Sequence, residues 1–150
     1  MKKYKKMKKL ITALVGVSVM AGCGQGSVNV DFKEGANYFV RNDVEEVPLV
    51  LNSEAERDSV LGMAAVMGDG GLPTEIDFSK ESVINIALPE TNCPTDLHVK
   101  SVVQKGDSLI VSYEAMRQEE CSYTMRPYTM VIVSKSVMQQ SPKVRLEEVK

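Results

Sequence analysis

The sequence predicts an α+β fold: one helix packed on a mainly antiparallel β-sheet meander, closed into something sandwich- or barrel-like. Three features predict it. A single capped apolar pattern with a 3.6-residue period runs from Ser53 to Met67. From Ile76 onward the apolar period becomes two. The runs that carry this second period are short, spaced about a dozen residues apart and separated by turn residues, as in strands joined by hairpins.

The first 22 residues read as an address rather than as part of the domain. Lys2, Lys3, Lys5, Lys6, Lys8 and Lys9 form a positive start, and the apolar run from Leu10 to Met20 follows. That run is too short for a membrane-spanning helix, which needs roughly 20 apolar residues. A charged start, a short apolar centre and small residues before a cleavage point make a secretory signal peptide. Met20-Ala21-Gly22-Cys23 resembles the bacterial lipobox, with Met in place of the usual Leu. This implies cleavage before Cys23, acylation of that cysteine and lipid anchoring in the cell envelope, periplasm-facing or at the surface of an outer membrane. Residues 23–35, including Gly24-Gln25-Gly26-Ser27, are expected to form a lipidated tether. Residues 36–150 form the single domain.

Charge restricts the partners. All 20 acidic residues follow Cys23, as do 12 of the 18 basic ones, so the chain from Cys23 onward carries a net charge of −8. Such a balance disfavours nucleic acid, whose binding needs a basic face. A length of one domain allows a real core. With no Trp and few Phe and Tyr, Val, Ile, Leu and Met must build it.

Within the domain, Ala36-Asn37-Tyr38-Phe39-Val40 is aromatic and β-branched, hence a strand, and residues 47–51 form a second. Ser53 and Glu56 make a Ser-x-x-Glu capping box. Apolar Val60, Leu61, Met63, Ala64 and Met67 then continue one helix face, with Gly68 as its C-terminal cap. Val83-Ile84-Asn85-Ile86-Ala87-Leu88 is nearly all apolar and reads as a central strand. Residues 97–104 descend from it, Lys105-Gly106-Asp107 turns, and residues 109–115 rise again. Tyr123 and Met125 begin a fourth long strand, interrupted by Pro127 as at an edge or bulge, and completed by residues 128–133.

Two stretches resemble PrcB C-terminal-like domains, found in small exported bacterial lipoproteins. The first is Glu75-Ile76-Asp77-Phe78-Ser79-Lys80-Glu81-Ser82-Val83-Ile84. The second is Arg126-Pro127-Tyr128 followed by Val131-Ile132-Val133-Ser134-Lys135. The resemblance covers about residues 38–135 and implies a non-catalytic domain that stabilises or restrains an envelope protease. The family's glycine-containing hairpin loop is replaced here by Asn92-Cys93-Pro94-Thr95-Asp96-Leu97-His98, which keeps only the Pro and Thr.

In a meander, Cys93 and Cys121 fall at the same end of the sheet. In an oxidising compartment they are expected to pair, with Cα atoms roughly 4.4–6.8 Å apart. Free thiols, or a metal pair with His98 as a third ligand, are the competing uses. His98 is the only histidine, with no accompanying nucleophile, so no catalytic residue and no cofactor is expected. Glu45-Glu46 and Glu119-Glu120 read as solvated loop charges. Gly68-Asp69-Gly70-Gly71 lacks the Lys-Ser/Thr ending of a phosphate loop. The function expected is binding of an envelope protein; the alternative is a module for a small molecule or glycan. The candidate binding loops are residues 90–96 and 116–120, with Asn92, Pro94, Thr95, Asp96, Arg117 and Glu119 as their candidate contacts.

Overall fold

A computed structural model describes residues 26–150; the expected signal peptide and the expected acylation site at Cys23 lie outside the described residues. The class is α+β and rich in sheet. Ten strands and two short helices follow one another as β1 (Ser27–Asn29), β2 (Lys33–Gly35), β3 (Tyr38–Val40), β4 (Val50–Leu51), α1 (Glu54–Val60), β5 (Leu61–Met63), β6 (Glu81–Ala87), β7 (Thr95–Lys105), β8 (Ser108–Arg117), β9 (Tyr128–Ser134), α2 (Lys135–Gln140) and β10 (Lys143–Glu148). Two four-stranded sheets, ordered β1-β7-β8-β10 and β2-β9-β6-β4, make an open sandwich, and β3 pairs with β5 in a small third sheet.

The expected meander is replaced by a nested ribbon. β6 pairs not with β7 but with β9, from Glu81↔Ser134 to Ala87↔Tyr128. β7 pairs with β8 from Thr95↔Arg117 to the turn at Lys105↔Ser108. Between these ladders the two chains stay together, through Leu88 N–H to Pro127 C=O (2.9 Å) and the Thr91↔Met125 bridge. One long hairpin therefore bends at a corner, its outer arms in one sheet and its inner arms in the other.

Burial explains why this arrangement wins. Along β6 and β9 the side chains alternate between two cores. Ile84, Ile86, Val131 and Val133 pack against Leu97, Val102, Leu109, Val111 and Tyr113 inside the sandwich. Val83, Met130 and Ile132 face the opposite way, against Val40, Leu51, Val60, Leu61, Ile76 and Phe78. Strands apolar on both faces have to be covered on both faces. β7 and β8 bury one face only.

Several elements depart from the sequence expectation. The helix ends at Val60, not Met67; Leu61 is already extended, and Leu61–Met63 pairs with β3. Its start is as expected, since Ser53 Oγ accepts from Glu56 N–H (3.2 Å). The Glu56 carboxylate reaches back to Asn52 N–H (2.6 Å). Gly62 suits the strand, because an added Cβ would lie 2.2 Å from the Phe39 ring that covers it. Met63 and Met67 are consequently exposed rather than packed. The tether gives way at Ser27 to strands β1 and β2, which add an edge to each sheet. Pro127 does not mark an edge, since the strand that follows it, β9, is internal to its sheet; it is buried at the corner, where the pairing slips by one residue between Ala87↔Tyr128 and Thr91↔Met125, the irregularity of a bulge. The expected strand start at Tyr123 and Met125 is reduced to the single bridge. Helix α2, capped by Ser134, and strand β10, parallel to β8, were not expected.

Ion pairs pin the late and edge strands. Lys33 joins Glu81 (2.7 Å), Lys143 joins Asp107 (2.7 Å), and Arg117 holds both Glu148 oxygens (2.7 and 3.2 Å). The hydrogen bonds from these cations hold the Glu81, Asp107 and Glu148 carboxyls below their ordinary values. A lowered native pKa gives stability that is present above the unfolded value and is lost as pH falls through the native one. Stability is therefore expected to be flat down to about the ordinary glutamate value of 4.5, then to fall. In amide exchange β2 and β10 should lose protection before β6 does. Earlier loss in β6 would contradict this assignment.

Candidate functional site

The corner of the bent ribbon is where the candidate binding loops meet. Cys93 and Cys121 are disulfide-bonded across it, with Cα atoms 4.1 Å apart, slightly inside the lower bound expected. The meander reasoning placed them together through the wrong pairing. They meet because Thr95↔Arg117 and Thr91↔Met125 bracket them on the two arms of one hairpin. Gln118 N–H donates to Pro94 C=O at 2.9 Å, extending the β7–β8 ladder past the strand ends. Both loops, 90–96 and 116–120, are thus fixed to each other by backbone pairing and by a covalent bond.

The six candidate residues divide into two groups. Asn92, Asp96, Arg117 and Glu119 are exposed, as are Glu90 and Glu120. Pro94 and Thr95 are buried and cannot contact a partner. Thr95 is structural: its hydroxyl donates to Cys93 C=O (2.9 Å), and its N–H points to the Met125 sulfur (3.4 Å). Arg117 is engaged with Glu148 and so ties the corner to β10. Residue identity alone gave no sign that Met116 (54% exposed) and Tyr123 (58%) would supply apolar surface at this end. This end of the molecule therefore exposes two large apolar side chains, Met116 and Tyr123, and four carboxylates, Glu90, Asp96, Glu119 and Glu120.

The Arg126-Pro127-Tyr128 stretch has a packing role. The Arg126 guanidinium donates to the carbonyls of Val44 and Glu45, both at 2.6 Å. Tyr128 Oη donates to Asn85 Oδ1 (2.7 Å), and the Asn85 amide donates to Pro48 C=O (2.7 Å). Burial raises the Tyr128 pKa, so the phenol stays a neutral donor. This chain fastens loop 42–49 to the central strands. Glu45 and Glu46 on that loop are exposed.

Other candidates are separated in space. His98 is exposed on β7 opposite Glu114, which pairs with Lys100 at the bulge in β7. Among the described residues no group of three or more His, Cys, Asp or Glu is arranged to hold a metal ion. No described helix is long and apolar enough to cross a membrane. In residues 66–71 the backbone closes on itself through Val66 N–H to Gly71 C=O (2.9 Å) and Gly71 N–H to Gly68 C=O (3.2 Å), with Gly68 and Gly70 at positive φ. Beside it a groove of about 540 Å³ is lined by Tyr38, Arg57, Met63, Leu72, Ile76 and Asp77.

No family model, curated protein or solved structure matches this chain.

Proposed function

We propose that this chain is an exported bacterial lipoprotein, anchored through an acylated Cys23, whose domain binds another protein of the cell envelope without catalysing a reaction. The observation that carries the binding reading is the disulfide-braced corner. Two loops, residues 90–96 and 116–120, are held in one arrangement by the Cys93–Cys121 bond between positions 28 apart in sequence, and this end of the molecule exposes Met116 and Tyr123 alongside Glu90, Asp96, Glu119 and Glu120. Ordering such loops in advance lowers the entropy cost of association. An apolar centre with a charged rim is the make-up of a protein–protein contact. A partner with an apolar patch bordered by Lys or Arg fits this chemistry. The resemblance to PrcB C-terminal-like domains supports an envelope protease complex as the setting, with the domain stabilising or restraining the protease.

The test is a loop exchange in the anchored protein. Replacing residues 118–120 with a Gly/Ser segment, which leaves β8 and the Arg117–Glu148 pair in place, or changing Tyr123→Ser, should abolish cross-linking to the partner while leaving thermal unfolding within a few degrees of wild type. If both changes leave cross-linking intact and Met67→Asp abolishes it, the binding surface lies at the 64–72 loop, and the reading of the corner is wrong.

A further inference from the structure

We infer that β10 is a self-pairing edge through which two copies of this chain join into one continuous sheet. β10 ends its sheet, and among the described residues no strand pairs with its outer side. Its backbone orientation is fixed by the parallel ladder with β8. Lys143 N–H donates to Asp107 C=O and Val149 N–H to Tyr113 C=O, so odd-numbered residues turn their backbone groups toward β8. The N–H and C=O groups of Val144, Leu146 and Glu148 therefore face the open edge. The side chains of Val144 and Leu146 pack against the sandwich core, whereas Lys143, Arg145 and Glu147 are exposed on the outer face.

A second copy added antiparallel about a two-fold axis must pair residues of like parity, so that inner face continues inner face. Centring the axis on Leu146 sets Leu146 opposite its symmetry mate and Val144 opposite Glu148 of the second copy. Every outward backbone group is then bonded. On the outer face Arg145 lies opposite Glu147 of the second copy, twice by symmetry. Centring on Arg145 instead would oppose two guanidiniums and leave Glu148 unpaired. Charges on an edge ordinarily prevent such pairing; here their signs match under the dyad and select one register. Leu146 also lines a groove of about 370 Å³ whose walls mix Val47, Leu49 and Leu88 with Glu45, Glu46 and Arg126, so this end of β10 borders a mixed rather than a purely apolar surface.

Sedimentation equilibrium of the full chain extracted in detergent tests this. Wild type should dimerise reversibly. Arg145→Glu and Glu147→Arg, both at exposed positions, should each weaken the dimer by about tenfold or more, and the double exchange should restore it. Val144→Pro removes one outward N–H and no β10–β8 bond, and should leave a folded monomer whose β7–β8 amides stay protected from exchange. A wild-type monomer at all concentrations overturns the inference, as does a dimer indifferent to Arg145→Glu and Val144→Pro. Failure of the double exchange to recover association overturns the register.

Discussion

Ile84→Ala should destabilise the fold by about 2–5 kcal/mol, because it removes a fully buried side chain from the centre of the sandwich. Ile84 sits opposite Val131 in the β6–β9 ladder, and both face the interior shared with β7 and β8. The loss combines lost transfer energy with the cavity left behind, and close packing on both sides limits collapse into it. Ile132→Ala, on the opposite face of the same ladder, should cost a similar amount and unfold in the same single transition. Met67→Ala supplies the contrast. Met67 is 103% exposed, so its truncation should change stability by no more than about 0.5 kcal/mol. Had the helix run to Met67 with its stripe packed, that substitution would have cost several times more. Equilibrium unfolding in urea separates the cases.

Replacing both cysteines, Cys93→Ala with Cys121→Ala, should cost roughly 3–4 kcal/mol on the chain-entropy account for this loop length, with partners 28 residues apart. The ladders on either side of the bond are made without it, so the native sandwich should survive and the loss should appear at equilibrium. The local consequence is sharper. Residues 118–124 have few backbone partners besides Gln118 N–H to Pro94 C=O, so amide exchange there should accelerate well before β7 or β8 is affected. An unchanged unfolding midpoint after removal of both sulfurs would show that the corner is held by its backbone pairing alone.

The sequence announced its strands more clearly than their partners. Two runs, 83–88 and 128–133, are apolar at all but one position each, Asn85 and Thr129, whereas 97–104 and 109–115 carry more polar residues between their apolar ones. A strand buried on both faces must lie in an inner layer, so these two runs belong together, with the alternating pair nested between them. That contrast was present in the sequence, and adjacency along the chain outweighed it. The helix overran because Leu61, Met63, Ala64 and Met67 continue its period by coincidence. Pairing with Tyr38–Val40 and the ring of Phe39 over Gly62 supply tertiary contacts that the period cannot report. β10 hid behind its charges, as an edge strand should. At the candidate site, the cysteine pair and the acidic loop residues were legible. The burial of Pro94 and Thr95 was not, because it depends on how the corner folds back on Met125.

We propose that this domain works from a lipid anchor outside the cytoplasm. The intact mass of the chain, extracted with detergent from membranes of cells expressing it, tests that claim most directly. The predicted mass is that of residues 23–150 plus acyl groups on Cys23, less the two hydrogens lost in forming the Cys93–Cys121 bond. A wild-type chain recovered without lipid, or one that still carries residues 1–22, would contradict it.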